Sequence, residues 1–234
     1  MLKKAEKLLL KAECFQVTGS FKPRGAFNAV LSLMERGPRP HGVIAVSSGN
    51  HAQAVAWAAQ RFGLPARIYM PTQVSAIKAA ATREYGADVV LCPDRAAVDA
   101  AVAEAAAEPG VVWIHPFNHP DVIAGQGTAA WEAIAELGAI DAVCVPCGGG
   151  GLLAGTSLAA RQLSPACQVI GGEPLAVVER GALERSLGGA HALGGRFRGE
   201  QTLEHLAHQH AVFGQTQIHS IPLFNKTCVA LMGA

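Results

Sequence analysis

Apolar and polar positions along this chain switch repeatedly between two periods. Short, continuous apolar runs at residues 43–46, 66–70, 88–91, 111–115, 142–145 and 168–171 read as strands. Between them, apolar residues recur at helical spacing over 50–62, 75–85, 95–107 and 123–137, and again after Gly151. An earlier helix is predicted from Pro23, where Ala26, Phe27, Val30, Leu31 and Met34 share a face and Gly37 marks a stop. Regular β–α alternation with uninterrupted apolar strands predicts an α/β fold, a parallel sheet covered by helices on both faces. Ligands of such folds sit beyond the carboxyl ends of the strands. The unusual residues of this chain fall there.

Composition narrows the class without naming it. Half of the 234 residues are hydrophobic and the formal charge is +1, which suits a globular protein of one or two domains. A near-neutral balance offers no attraction to nucleic acid or an anionic membrane. No apolar run is long enough to span a bilayer, since the richest stretch is broken by Asp99, Glu104, Glu108 and Pro109. Residues 1–10 show no cleavage-site pattern, so no signal peptide is read and a cytoplasmic protein is expected. The 6 cysteines are scattered through apolar segments and read as buried thiols, including the Cys144–Cys147 pair that closes a strand.

Lys22 stands in Thr18-Gly19-Ser20-Phe21-Lys22-Pro23-Arg24-Gly25-Ala26, between a Gly-Ser turn and a proline. The following proline biases Lys22 toward extended backbone, at or near the N-cap of the helix from Pro23. The positive end of the helix dipole disfavours an ammonium ion there. A lysine with a lowered pKa can form a Schiff base with a carbonyl compound.

Two further loops have anion-binding character. Ser47-Ser48-Gly49-Asn50-His51-Ala52-Gln53 follows a strand and opens a helix, offering backbone N–H groups and side-chain donors to a carboxylate or phosphate. Gly148-Gly149-Gly150-Gly151 lies between the strand ending near Val145 and the helix after Gly151. A run of glycines is costly in conformational entropy, and its use is to bring several N–H groups close to one phosphate. The same loop loosely matches a dinucleotide fingerprint, with Glu173 at about the distance of a ribose contact, so a nicotinamide-dependent oxidoreductase is an alternative reading. That reading leaves the Lys22 run unexplained.

Taken together, these segments resemble the fold-type II pyridoxal-phosphate (PLP) enzymes, and within them the serine/threonine dehydratase (threonine ammonia-lyase) and serine racemase family. The resemblance rests on Lys11-Ala12-Glu13, Gln16, the run from Gly19 to Ala26, and the run from Ser47 to Gln53. It continues through His115-Pro116-Phe117, Ile123-Ala124-Gly125-Gln126-Gly127-Thr128 and the run from Pro146 to Gly155. It covers roughly residues 8–174. It implies a tryptophan synthase β-like architecture of two open parallel-sheet lobes, with a small α/β domain at 42–119 and a large PLP-binding domain from 1–41 and 120–234.

The resemblance also implies roles. Lys22 would hold PLP as a Schiff base and remove the substrate α-proton, with Phe21 flanking the ring and Asn50 bonding the phenolic oxygen. Gly148, Gly149, Gly150, Gly151 and the Leu152 amide would cradle the phosphate. Ser47, Ser48 and His51 would bind the substrate carboxylate. The implied reaction converts L-threonine or L-serine to a 2-oxo acid and ammonia. Ser48 falls where racemases carry a serine opposite the lysine, and it also fits hydroxyaspartate dehydratases. Glu173, the Val177 carbonyl and Glu179 align with a divalent-cation site, whose oxygen ligands suit magnesium or calcium. The histidines at 205, 208, 210 and 219 read as solvated loop residues. A homodimer is the family's usual assembly.

The chain departs from the family at both ends and is expected to be a truncated member. The resemblance fades past Pro174, and neither Thr227 nor Cys228 sits in a motif that assigns it the pyridine-nitrogen contact. A catalytically impaired remnant that binds PLP or pairs with an intact relative is therefore a second expectation. An uncovered sheet edge in the large lobe is a third.

Overall fold

The computed structural model of the chain describes residues 7–172 and 227–232. In chain order these residues form β1 (Lys7–Ala12), a short 3-10 helix (Glu13–Phe15), α1 (Lys22–Arg36), β2 (Gly42–Val46), α2 (Asn50–Arg61), β3 (Ala66–Pro71) and α3 (Ala76–Glu84). They continue with β4 (Asp88–Cys92), α4 (Arg95–Ala106), β5 (Val111–Trp113), α5 (Pro120–Leu137), β6 (Ala142–Pro146), α6 (Gly151–Leu163), β7 (Gln168–Gly172) and β8 (Thr227–Met232). The contacts divide the chain into two compact units. One runs from Ala12 to Gln126, and the other holds the described residues 7–11, 127–172 and 227–232.

In the first unit, four parallel strands lie in the order β4-β3-β2-β5, with Val43 opposite Ala66 and Gly42 opposite Val111. Alternate residues of each strand point to opposite faces, and helices cover both. Val43, Ala45, Ile68 and Met70 enter one buried cluster with Val30 of α1 and Val55 of α2. Ile44 and Tyr69 enter the other with Val98 and Val102 of α4. The buried alanines Ala52, Ala54, Ala56, Ala58 and Ala59 let α2 lie close to the sheet and to α1. Phe27 of α1 packs on Trp57 and Phe62, with ring centroids 5.4 and 5.0 Å away. That packing holds α1 on α2 within the unit that runs from Ala12 to Gln126.

The first turns of α1 and α5 approach to backbone contact. A Cβ on Gly125 would meet the Arg24 carbonyl oxygen, with Asn28 Cβ 2.7 Å and Gly25 Cα 2.8 Å away. Because these obstacles are main chain or its first carbon, they cannot rotate aside. Gly125→Ala is therefore expected to destabilise this unit by about 3 kcal/mol, the upper end for overpacking, in a denaturant titration.

In the second unit the strand order is β1-β8-β6-β7, and β6 pairs in parallel with both β7 and β8. Lys11 at the end of β1 donates to Glu132 Oε2 of α5 at 2.7 Å. Gly127 lets α5 reach α6, since a Cβ there would sit 2.6 Å from the Gly155 carbonyl oxygen.

The strands predicted from the apolar runs all form within a residue or two of their expected ends, a normal margin for element boundaries. Three differences have physical causes. α1 begins on Lys22 itself, because Pro23 is tolerated in a first turn where the helix has no earlier carbonyl for its ring to strike. β5 ends at Trp113, because His115 Nδ1 accepts the Phe117 and Asn118 N–H groups, at 3.3 and 2.8 Å, and turns the chain. α5 starts at Pro120, three residues before the expected 123, with proline at its first position. β1, the 3-10 helix and β8 are not among the elements expected from the sequence. Among the described residues, no helix is long and apolar enough to cross a membrane.

Candidate active site

Lys22 gathers the chemistry of the first unit. Its Nζ donates to the Pro116 carbonyl at 2.7 Å and lies 5.2 Å from the centre of the Phe21 ring. The carbonyl is presented by the turn that His115 holds, and the ring of His115 is itself set edge-on against Phe117, 4.7 Å away. Burial lowers the lysine pKa from 10.5 to about 8. At pH 7 this raises the free-amine fraction roughly 300-fold over an ordinary lysine. The first turn of α1 contains no acidic residue that would oppose the shift. The carboxylate of Glu13 is held by Arg24 in a two-pronged pair, Nε–Oε2 2.6 Å and Nη2–Oε1 2.9 Å, with both side chains nearly buried.

The loop after β2 brings Ser47, Ser48, Asn50 and His51 to the start of α2. Its N-cap is Gly49, which offers no side-chain cap, and the Ala52 N–H turns back to the Gly49 carbonyl at 3.0 Å. Ser47 Oγ accepts the Gly49 N–H at 3.2 Å and shapes the turn, while Ser48 is exposed. His51 is only 3 % exposed. Its Nε2 lies 2.9 Å from the Ile114 carbonyl oxygen and its Nδ1 has no partner. Burial, followed by the nearby Lys22, pushes its pKa down to about 3, against the Ile114 hydrogen bond.

In the second unit the glycine loop joins β6 to α6. The Cys147 N–H is anchored on the Gly172 carbonyl at 2.8 Å. Gly150 takes a left-handed φ of 83° as N-cap of α6, a conformation that glycine adopts without strain. This helix also begins without a side-chain cap. A Cβ on Gly148 would meet nothing within 4 Å, and Gly148 is exposed. Leu152 is buried behind the loop in α6's first turn.

The first unit thus carries Phe21 and Lys22 at the start of α1 and Ser47, Ser48, Asn50 and His51 at the start of α2, with His51 close enough to Lys22 to feel its charge. The second holds Gly148, Gly149, Gly150, Gly151 and Leu152. Glu173, Val177 and Glu179, expected to hold a cation, lie outside the described residues. So do the histidines at 205, 208, 210 and 219. Among the described residues, no three His, Cys, Asp or Glu side chains are grouped to hold a metal ion. Sequence motifs missed the contributors that act through main chain, the carbonyls of Ile114 and Pro116. They also missed the Glu13–Arg24 pair, whose members stand on two different elements, the 3-10 helix and α1.

Comparison with known proteins places this geometry. L-threo-3-hydroxyaspartate ammonia-lyase of Saccharomyces cerevisiae is 50% identical over 171 residues, which are 71% of this chain and 51% of the relative. L-threonine ammonia-lyase of Thermotoga maritima is 45% identical over 186 residues, 76% of this chain and 46% of the relative. The chain spans about half the length of the curated relatives it matches. The crystal structure of serine racemase from Dictyostelium discoideum superposes with a TM-score of 0.70 at 35% identity, over 86% of this chain and 67% of that one. A family model described as pyridoxal-phosphate dependent enzyme matches residues 2–211, so the dinucleotide reading of the glycine loop gives way and the chain belongs to the pyridoxal-phosphate dependent enzyme family.

Proposed function

We propose that this chain is a PLP-dependent ammonia-lyase for a small L-3-hydroxy amino acid, with L-threonine or L-serine as substrate. The observation that carries the reading is Lys22, an amine with its pKa lowered to about 8 and its Nζ aligned by the Pro116 carbonyl. Such a group can condense with an aldehyde near neutral pH, and as a free amine it can take a proton from carbon. The residues present fit PLP in two more respects. Both uncapped glycine-led helix starts, α2 and α6, suit anions, the glycine loop a phosphate and the serine loop a carboxylate.

Bound PLP supplies an electron sink for the pair left on the α-carbon. Lys22 holds the cofactor and then accepts the α-proton. Ser47, Ser48 and the first-turn N–H groups of α2 bind the carboxylate and fix the α-carbon toward the lysine. Loss of the α-proton and the β-hydroxyl, followed by addition of water, releases a 2-oxo acid and ammonia.

A second substrate reading, L-threo-3-hydroxyaspartate, is favoured by the 50% identity to the yeast ammonia-lyase. The exposed Ser48 hydroxyl also leaves room for racemisation of serine.

The test is a visible spectrum of the chain with added PLP, followed by borohydride reduction and peptide mass mapping. The expected result is an absorbance band whose reduced adduct maps to Lys22 and which disappears in Lys22→Ala. Release of 2-oxo acid from L-threonine, L-serine and L-threo-3-hydroxyaspartate then ranks the substrates. A folded chain without a lysine-dependent band would overturn the proposal. A band without turnover of any of the three would reduce it to cofactor binding alone.

A further inference from the structure

The Pro116 carbonyl that receives Lys22 Nζ belongs to the peptide unit between Pro116 and Phe117. A trans peptide is planar, with its C=O and N–H on opposite edges, so the direction of one fixes the direction of the other. Among the described residues no peptide bond is cis. The N–H of this unit, on Phe117, points at His115 Nδ1, 3.3 Å away, and the next N–H, on Asn118, reaches the same nitrogen at 2.8 Å. The Pro116 oxygen faces Lys22 because the Phe117 N–H faces the histidine.

A main-chain N–H only donates, so Nδ1 carries a lone pair and the proton of the neutral imidazole sits on Nε2. Aromatic neighbours hold the ring on two sides, Trp113 with its centroid 5.4 Å away and Phe117 edge-on at 4.7 Å. The chain before it is fixed as well. The Ile114 N–H donates to the Ile44 carbonyl of β2 at 2.9 Å, and the Ile114 carbonyl accepts the His51 Nε2 proton at 2.9 Å. Pro116 has a restricted φ. Rotation of the peptide plane after Pro116 would turn the carbonyl off the lysine, and the imidazole opposes that rotation.

We infer that His115 is a positioning residue for Lys22: its Nδ1 locks the peptide plane between Pro116 and Phe117, and the carbonyl of that plane aims Nζ for attack on an aldehyde. With one N–H of the amine committed to the Pro116 oxygen, the lone pair points away from that oxygen and stays available. The histidine acts through main chain and needs no contact with cofactor or substrate. The use of this alignment rests on the proposed PLP chemistry, while the alignment itself can be measured without cofactor.

The test compares the unsubstituted full chain with His115→Leu and His115→Asn. Both variants lose the ring and its aromatic contacts, but an asparagine oxygen can accept the N–H two residues on, which here is that of Phe117. At pH 7 an amine with a pKa of about 8 is mostly ammonium, and a carbonyl-bound ammonium exchanges slowly enough to be seen by NMR of chain labelled with 15N-lysine. The Lys22 signal, assigned by its absence in Lys22→Met, should appear in the unsubstituted chain and in His115→Asn and vanish in His115→Leu. Lys11, held by Glu132 in the second unit, is the internal reference and should persist in all three. With PLP added, the borohydride-trapped adduct at Lys22 should form about tenfold more slowly in His115→Leu, the factor of one net hydrogen bond, and within about twofold of the unsubstituted rate in His115→Asn.

A histidine that only supports the fold would lower the melting temperature of both variants and leave the Lys22 signal in place. In the unsubstituted chain, 15N-histidine should show His115 Nδ1 unprotonated and hydrogen-bonded, with slow exchange of the Asn118 amide, which tests the turn even where a variant fails to fold. A protonated Nδ1, a Lys22 signal that persists in His115→Leu, a signal lost equally in both variants, or an adduct rate in His115→Leu equal to the unsubstituted one would overturn the inference. Absence of the PLP band from an unsubstituted chain that keeps the NMR pattern would overturn the proposed function and leave the alignment of Lys22 standing.

Discussion

Glu13→Ala is expected to lower the stability of the first unit by about 3–5 kcal/mol, the usual cost of removing one partner from a buried ion pair. Glu13 and Arg24 have side-chain exposures of only 4% and 10%, and their contact is two-pronged. Loss of the carboxylate leaves a guanidinium without its counter-charge in a place that water scarcely reaches. Glu13→Gln keeps one acceptor oxygen and should lose less. Denaturant titration of the three proteins checks the order. A loss below about 1 kcal/mol for Glu13→Ala, the range of exposed pairs, would show that the pair is solvated in solution.

Lys22→Met is expected to stabilise the chain at pH 7 while abolishing the borohydride-trapped adduct. The folded-state pKa of about 8 lies below the ordinary 10.5. Between those values the unfolded chain binds more protons than the folded one, so this group's contribution to stability rises with pH from about 8 to 10.5. Below pH 8 the folded state bears the full cost of a buried ammonium, about 3 kcal/mol for a shift of this size. Methionine has a similar length and no charge, and it forgoes the Pro116 hydrogen bond, worth about 1 kcal/mol. The net expectation is a gain of about 2 kcal/mol at pH 7, or several degrees in melting temperature. Melting curves of both proteins should converge as the pH rises from 7 and cross before pH 10.5, where only the Pro116 hydrogen bond separates them. Parallel curves would show that Lys22 is not desolvated. A site residue whose removal stabilises the fold marks a position where chemistry is kept at the expense of stability.

The candidate site was legible in the sequence wherever a role depends on a residue type at a chain position. Lys22 before a proline, the serine loop opening α2 and the glycines opening α6 all belong to this kind, because each starts a helix and the two loops also follow a strand. What the motifs could not convey was direction. His51 stands in a loop with carboxylate-binding character, yet its ring turns inward to the Ile114 carbonyl. The pattern of the loop is the same whether the ring faces a ligand or the sheet.

The alternation of apolar runs and helical periods determined an α/β fold, because strands buried on both faces by helices leave a signature of period and length. It also located the residues that end strands and begin helices. Only the tertiary structure decided which lone pair, carbonyl or counter-charge each of them meets. The Pro116 carbonyl stands 94 residues from Lys22, the Ile114 carbonyl 63 from His51, and Glu13 lies 11 from Arg24 across a turn. The lowered pKa of Lys22 and the single tautomer of His51 are consequences of burial and of these distant groups. Neither desolvation nor a remote main-chain oxygen is written in the residues beside them.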